Sequence, residues 1–261
     1  MATTIHPTAI VSQSARLGSD VEIGPYAIIN DHAEIGDRSV IHAHATVGPR
    51  VIMGSANHIR SYSIVGALPQ DLGFDPATPT GVVMGDNNDF REGVTISSAT
   101  QADHNTLIGS NCLFMNNSHV AHDCVVGDNN IFANGAAAGG HVQLGDKVFF
   151  GAGAMAHQFC RIGSYAMVAA MIGVRKDILP YSMCGGSPVN HYRLNTIGLR
   201  RAGITGANYA TLNKAFRLLR NNEALVDLPE SDELEYLQTW LNAESKRGIY
   251  GFARPENRGD D

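Results

Sequence analysis

The stretch "IFANGAAAGGHVQLGDKVFF", residues 131–150, decides the fold, because an apolar or small residue returns in it at every sixth position. Phe132, Ala138, Leu144 and Phe150 occupy these positions, and a glycine directly follows Ala138 and Leu144. One apolar residue per six fits short strands joined by tight turns, each of which is buried only when the next layer stacks on it. The stretch therefore predicts a stacked repeat architecture.

The same six-residue step runs through three blocks of the chain. The first block extends from Ile5 to Val65, and the second, after "GALPQDLGFDPATPTG", contains Met84, Phe90 and Ile96. The third follows "SSATQADHN" and runs from residue 108 to residue 174. Three hexads make one triangular coil of 18 residues, so the pattern predicts a parallel β-helix whose coils lie about 4.8 Å apart.

Composition narrows the classes of protein. The net charge of -6 over 261 residues argues against nucleic acid as a general partner. No apolar run is long enough for a membrane span, and the N-terminus lacks the layout of a signal peptide, so we expect a cytoplasmic protein that is not an integral membrane protein. The cysteines are scattered without CxxC pairing, which predicts core residues and neither a zinc knuckle nor a disulfide framework.

The six-residue register places three histidines on one side of the predicted helix. His122, His141 and His157 each closely follow one of three anchor positions that are 18 residues apart. His122, Gly140 and Gln158 share the same offset from their anchors, so they are expected to form a vertical column. Coils of this kind usually carry small or apolar side chains, and a polar column therefore indicates a functional site.

Two chemistries fit this column. Three histidines could hold zinc, as in β-helices that resemble the gamma carbonic anhydrases. Alternatively, His122 could act as a general base, and the adjacent Asp123 favours this, because a carboxylate can hold an imidazole in the required tautomer. Neighbouring residues on a strand point to opposite faces, so Asp123 could reach the imidazole only at a turn or from a neighbouring subunit. On these residues alone, a binding or scaffold module without chemistry also stays open.

Longer motifs carry a more specific likeness. They are "HVAHDCVVGDNNIFANGAAAGGHVQLGD", "AHQFCRIG", "RKDILPY", the N-terminal "IHPTAIV" and the "PQDL" of the first interruption. Together they resemble the acyl-ACP:UDP-N-acetylglucosamine O-acyltransferases, which begin lipid A synthesis, over nearly the whole chain. The resemblance implies a left-handed β-helix, a homotrimer with its cleft between subunits, and a UDP-sugar acceptor. It further implies an acyl carrier protein thioester as co-substrate, with no other cofactor and no metal.

The same resemblance implies a role for individual residues. His122 matches the catalytic base and Asp123 its partner, while the backbone N–H of Gly140 matches the oxyanion donor. Ala170 matches the position that measures acyl-chain length. Substrate-binding positions fall on Gln70, Asp71, His119, His141, His157, Gln158, Asn195 and Arg201. The implied reaction moves a 3-hydroxyacyl chain to the 3-position of UDP-N-acetylglucosamine.

Several positions depart from the family pattern. Where the family usually has His-Arg-Gly-Thr, this chain reads "SSAT", which begins at Ser97 and Ser98. Gly73 stands where a lysine commonly follows "QDL", and Ile197 replaces a glutamate near the nucleotide. These departures leave the acceptor open between a 3-hydroxyl and a 3-amino sugar. The zinc enzyme of the carbonic anhydrase type remains a further alternative.

Beyond Pro188 the hexads stop. The segments "TIGLRRAG", "NYATLNKAFRLLRNN" and "SDELEYLQTWLNAESKRG" are predicted helices, so we expect a β-helix domain at 1–187 and an α-helical domain at 188–261. Between Tyr192 and Asn222 lie six cations and no acidic residue: Arg193, Arg200, Arg201, Lys214, Arg217 and Arg220. This stretch indicates either a solvated helix face or a dock for the acyl carrier protein.

Overall fold

The computed structural model describes residues 2–253 and winds most of them into coils of very short strands. The strands are β1 (Thr4–Ile5), β2 (Ile10–Val11), β3 (Arg16–Leu17), β4 (Glu22–Ile23), β5 (Ile28–Ile29), β6 (Glu34–Ile35), β7 (Val40–Ile41), β8 (Thr46–Val47), β9 (Val51–Met53), β10 (His58–Ile59), β11 (Ile64–Ala67), β12 (Gly81–Met84), β13 (Asp89–Phe90), β14 (Thr95–Ser97), β15 (Asn105–Ile108), β16 (Leu113–Phe114), β17 (His119–Val120), β18 (Val125–Val126), β19 (Ile131–Phe132), β20 (Ala137–Ala138), β21 (Gln143–Leu144), β22 (Phe149–Phe150), β23 (Met155–Ala156), β24 (Arg161–Ile162), β25 (Met167–Val168), β26 (Gly173–Val174), β27 (Ser182–Gly185) and β28 (Asn190–Leu194).

Every third strand belongs to the same sheet, so the coils form a prism with three faces. The first sheet starts with β1 and β4, the second with β2 and β5, and the third with β3 and β6. Within an uninterrupted block each residue pairs in parallel with the residue 18 positions later, as Val120 does with Ala138. We call the turns from the first sheet to the second the first corner, and those from the second to the third the second corner.

The prism interior is made of the anchor residues. Each is usually the second residue of its strand, points inward and is buried, whereas the residue before it faces outward. Four phenylalanines of the first sheet contact one another through successive coils, with ring centroids 4.7, 5.0 and 5.4 Å apart and the last pair edge to face, at Phe90, Phe114, Phe132 and Phe150. Ile5 is an exception, because it belongs to the outermost coil and remains 48% exposed. The four cysteines are buried and unpaired, as predicted.

Two loops leave the prism at its second corner. Residues 68–80 connect β11 to β12, and residues 98–104 connect β14 to β15. They are the two interruptions of the six-residue register. Both loops emerge in the coils just before His122 along the chain, so they border the part of the corner where the candidate histidines lie.

Within the described residues, three helices follow the coils: α1 (Thr196–Arg201), α2 (Gly206–Arg220) and α3 (Asp232–Asn242). Ser231 caps α3 by accepting a hydrogen bond from the Leu234 N–H, and acidic residues fill its first turn. The prediction that this helix reaches residue 248 was wrong: it ends at Asn242, and the chain turns back toward the coils. None of the helices in residues 2–253 is long and apolar enough to cross a membrane.

The proposed division at residues 187 and 188 stays a prediction, and residues 254–261 of the second part lie outside the described residues. The parallel strand β27 adds to the first sheet after the last hexad, and β28 then pairs with it antiparallel. Arg161 fastens α3 to the coils. Its Nε donates to the Asp177 carboxylate of the next coil at 2.7 Å, while its guanidinium lies 4.3 Å from the Trp240 ring centroid and donates to the Trp240 carbonyl at 3.2 Å.

His191, on β28, is fully buried between the coils and the returning C-terminal segment. Its Nε2 accepts a hydrogen bond from the Leu179 N–H at 3.0 Å, and its Nδ1 has no hydrogen-bond partner among residues 2–253. Burial disfavours the charged imidazolium, which lowers the pKa of His191 to about 4.

This lowered pKa generates a stability prediction. The unfolded chain takes up the proton below its ordinary pKa of 6.5, whereas the folded chain stays neutral down to about 4. Stability is therefore expected to fall as the pH drops through this window, by about 3 kcal/mol for this group. Urea unfolding of the wild type and His191→Gln at several pH values checks it. An equally steep loss of stability in the variant would contradict the assignment to His191.

Candidate active site

The second corner holds a histidine and an aspartate in direct contact. The His122 Nδ1 lies 2.8 Å from the Asp123 Oδ2, and both side chains are largely buried. Asp123 has a left-handed backbone conformation with φ of 60°, which a turn requires and which aspartate tolerates better than most residues. This turn lets two consecutive side chains meet. Asp123 therefore reaches the imidazole within its own chain.

Thr100, in the second loop, holds the carboxylate of Asp123. Its hydroxyl donates to the Asp123 Oδ2 at 2.7 Å, and its backbone N–H lies 3.2 and 3.3 Å from the two carboxylate oxygens. Burial acts to raise the pKa of Asp123, but the hydrogen bonds from His122 and Thr100 outweigh it and lower that pKa. An ionised carboxylate accepts the Nδ1–H of His122, which leaves the lone pair of Nε2 available to take a proton.

Gly140 lies one coil below His122 in the predicted column. A Cβ built at Gly140 would come within 2.5 Å of the His122 ring, so only glycine fits under the imidazole without displacing it. Among residues 2–253 the backbone N–H of Gly140 has no hydrogen-bond acceptor. The corner thus places a free backbone donor beside the ring of a candidate base, an arrangement that can stabilise a developing oxyanion.

His141 completes this cluster. Its ring meets the His122 ring edge to face at 5.3 Å and stacks on Phe159 at 4.5 Å. Its Nε2 lies 3.7 Å from the Asp123 Oδ2. Burial lowers the pKa of His141, and the carboxylates of Asp123 and Asp71 only partly oppose this effect. His141 is thus biased toward its neutral form, and Asp71 from the first loop lies within electrostatic range of it.

The other predicted residues near this corner lie around the cluster. His119 faces outward from the second sheet, with its Nδ1 2.7 Å from the Thr95 hydroxyl, and burial lowers its pKa. His157 and Gln158 lie exposed one coil below Gly140, where both contact Arg247. Gln70 and Asp71 are exposed in the first loop.

The side chains that lie close enough together to bind a metal are not the three histidines expected for zinc. The ligand atoms of His122, Asp123 and His141 lie within 4.8 Å of one another, whereas His157 contacts Arg247 instead. A cation bound there would have to draw Asp123 away from its hydrogen bonds with Thr100 and His122. The existing contacts therefore favour proton transfer over metal ligation.

Asn195, Arg201 and Ala170 lie apart from this cluster within one chain. Asn195 and Arg201 line a cleft of about 790 Å³ on the first sheet, together with Ile197. The Asn195 side chain caps α1 by accepting from the Gly198 N–H at 3.1 Å, and donates to the Tyr165 carbonyl at 2.9 Å. Ala170 is exposed on the first corner, across the second sheet from His122.

The residues that depart from the family pattern are dispersed as well. Ser97 and Ser98 are buried at the base of the second loop, and Ile197 is 58% exposed. Gly73 lies in the first loop, where its N–H donates to the Asp71 side chain at 2.8 Å.

Comparison with known proteins identifies the family. The hexapeptide family "Bacterial transferase hexapeptide (six repeats)" matches residues 14–49 and 105–140, and "Udp N-acetylglucosamine O-acyltransferase; Domain 2" matches residues 177–250. An acyl-[acyl-carrier-protein]–UDP-N-acetylglucosamine O-acyltransferase from Anaeromyxobacter is 43% identical over 88% of this chain and 90% of its own. The chain belongs to this acyltransferase family.

Solved structures of the family agree with this assignment. LpxA from Acinetobacter baumannii has a TM-score of 0.88 at 36% identity, covering 94% of this chain and 99% of its own. The acyltransferase from Campylobacter jejuni also has a TM-score of 0.88, at 35% identity, covering 96% and 100%. The predicted fold class is thereby confirmed as a left-handed parallel β-helix with a small C-terminal α-helical domain.

Sequence reasoning missed three residues that contact this corner: Thr100 beside Asp123, Lys246 beside the Phe159 ring, and Arg247 beside Gln158. Thr100 belongs to the "SSAT" run that departs from the family pattern, although a threonine after a register break is a natural candidate for a side-chain hydrogen bond. The sequence predicts Lys246 and Arg247 at the end of a helix, because the "SKRG" that contains them has no β or turn signal strong enough to end it earlier.

The contact between Thr100 and Asp123 can be tested directly. Thr100→Val removes the hydroxyl donor but keeps the shape, so it is expected to raise the pKa of Asp123, whereas Thr100→Ser is expected to preserve the value. Carbon-13 NMR titration of the aspartate carboxyl groups measures it. Equal Asp123 pKa values in wild type and Thr100→Val would show that the hydroxyl does not stabilise the carboxylate.

Proposed function

We propose that the protein transfers a 3-hydroxyacyl chain from the thioester of acyl carrier protein to the 3-hydroxyl of UDP-N-acetylglucosamine. The observation that carries this proposal is the pairing of His122 with Asp123 directly above the free N–H of Gly140. Relatives 37–43% identical to this chain are named for the same donor and acceptor, which supports it.

In the proposed reaction the Nε2 of His122 removes the proton of the sugar hydroxyl. The oxygen attacks the thioester carbonyl, a C–O bond forms, and the Gly140 N–H binds the resulting oxyanion. When the C–S bond breaks, the His122 imidazolium returns the proton to the departing thiolate. Asp123 stabilises the imidazolium between these two steps, and Thr100 keeps the carboxylate oriented toward it.

The proposed assembly is a homotrimer built around the second sheet. Within residues 2–253 its outward positions carry no charged side chain: Ile10, Ile28, Thr46, Ile64, Thr95, His119, Ala137, Met155 and Gly173. The first sheet displays Glu22 and the third displays Arg16 and Glu34. An uncharged face with Ile10 and Met155 mostly exposed is suited to burial between subunits.

This packing would complete the cleft. If three copies turn their second sheets toward a common axis, the first corner of each copy meets the second corner of the next. Ala170 of one subunit would then border the same cleft as His122 of its neighbour. The acyl chain could thus be measured by one subunit while the other performs the chemistry.

The basic stretch supplies a proposed dock for the carrier protein. Arg193, Lys214, Arg217 and Arg220 line one cleft of about 550 Å³ beside Tyr192. Lys214 and Arg220 are held in place by hydrogen bonds to the carbonyls of Asp227 and Tyr192, at 2.8 and 2.6 Å. A fixed cluster of cations would attract an acidic carrier protein and speed its encounter with the enzyme.

The cytoplasmic location stays a prediction.

His122→Ala tests the proposed mechanism. Loss of the base is expected to reduce kcat by roughly 10²–10⁴ with an intact fold, measured by acyl transfer from 3-hydroxyacyl carrier protein. His32→Ala, an exposed histidine on the same corner several coils away, is the matched control. Near-normal turnover by folded His122→Ala would sink the mechanism, and loss of wild-type activity in EDTA would favour the zinc alternative.

Ala170 is expected to select the length of the acyl chain. Ala170→Gly enlarges the groove and should favour longer 3-hydroxyacyl chains, whereas Ala170→Met should favour shorter ones. An acyl chain that overpacks a rigid groove loses about 1–3 kcal/mol of binding free energy, so the ratio of products from the two chain lengths should change by roughly tenfold. Competition between carrier proteins loaded with two lengths measures the ratio. Unchanged ratios in both variants would show that Ala170 does not line the groove.

A further inference from the structure

The segment after α3 returns from the helical domain to the coils. The Gly248 carbonyl accepts a hydrogen bond from the Asp177 N–H at 2.8 Å, and Ile249 forms a parallel bridge with Asp177. The Tyr250 hydroxyl accepts from the Arg175 N–H at 2.7 Å. These contacts fix residues 246–250 along the coil that follows His157 and Gln158, at the second corner.

This segment brings two cations to the candidate active site. The Arg247 Nε donates to the Gln158 carbonyl at 2.8 Å, and one of its terminal nitrogens lies against the His157 ring. The Lys246 Nζ lies 4.8 Å from the centroid of the Phe159 ring. Phe159 stacks on His141, so an unbroken run of rings joins Lys246 to the cluster of His122.

Two more cations belong to the same surface. Arg175 and Lys176 follow His157 and Gln158 by 18 residues, so they continue the two columns into the next coil, and both are exposed. Asp177, the next residue, does not offset them, because its carboxylate is buried against Arg161. We call Arg175, Lys176, Lys246 and Arg247 the cationic corner.

The cationic corner begins one coil below Gly140, at the spacing of about 4.8 Å between coils. Both proposed substrates carry phosphate esters: the acceptor has a diphosphate, and the carrier presents its thioester on a phosphopantetheine arm. Arginine and lysine are the usual side chains for such groups, and an arginine fork binds two oxygens at once. The Nε of Arg247 donates to Gln158 and one terminal nitrogen lies against His157, which leaves the N–H groups of the other terminal nitrogen available.

We propose that the cationic corner is a phosphate-ester subsite of the transfer site, in which Lys246 and Arg247 bind a phosphate of a substrate held against His157 and Gln158. The subsite rests on the proposed acyl transfer. It makes the C-terminal segment part of substrate binding and couples the helical domain to the β-helix site.

The test measures binding without turnover. Calorimetry compares uridine diphosphate with uridine, and 4′-phosphopantetheine with pantetheine, on the wild type, Lys246→Met/Arg247→Gln and the charge-keeping Lys246→Arg. The double variant should bind at least one phosphate-bearing probe roughly tenfold to a hundredfold more weakly than the wild type does. Its affinity for the phosphate-free partner of that probe should be unchanged. Arg38→Gln removes an exposed cation at the corner between the third and first sheets, and is the control for net charge.

The outcomes separate the two sources of phosphate. If the double variant binds only uridine diphosphate more weakly, the subsite belongs to the sugar nucleotide. If it binds only 4′-phosphopantetheine more weakly, the subsite belongs to the carrier. Weaker binding of both probes assigns a shared subsite. The proposal is overturned if neither phosphate probe binds the wild type, or if the double variant binds both with wild-type affinity. It is also overturned if the double variant loses as much affinity for the phosphate-free probes as for the phosphate-bearing ones. Absence of acyl transfer by the wild type would instead overturn the proposed reaction.

Discussion

Everything in this molecule depends on the hydrogen bonds between one coil and the next. A strand of two residues buries almost nothing by itself, so each anchor becomes core only when the residue 18 positions later pairs with it in the next coil. The spacing of about 4.8 Å that this pairing imposes brings the rings of Phe114, Phe132 and Phe150 into continuous contact. It also aligns the corners, because every coil must turn at the same three places.

The candidate site is a consequence of that alignment. A side chain at a corner is not needed in the core, so the corner can carry polar groups without a cost to the stack. The tight turn gives Asp123 a positive φ and folds its carboxylate back toward His122. One coil on, glycine is required at position 140 because the imidazole already occupies the space where a Cβ would lie. The register thus sets the vertical distances within the site, and the turns set the side-chain directions.

The parts that break the repeat reach the site because they leave or rejoin the prism at one corner. The second loop brings Thr100 to Asp123, and the segment after α3 brings Lys246 and Arg247 beside Phe159 and Gln158. Arg161, held in the coils by Asp177, contacts Trp240 of α3 through its guanidinium. The segment after α3 is tied to the same coils through Gly248 and Ile249, which contact Asp177.

The sequence by itself determined the repeat, the three faces and the column of His122, Gly140 and Gln158, because a strict period of six converts position in the chain directly into position in the prism. The family followed from motifs inside that repeat. Only the tertiary structure decided how side chains at the turns meet: that Asp123 reaches His122 within its own chain, and that Asn195 caps α1. It also decided the contributions of Thr100, Lys246 and Arg247. These residues lie outside the hexads, where no period relates sequence to space, and their places follow from loop paths and helix packing that many distant residues set together.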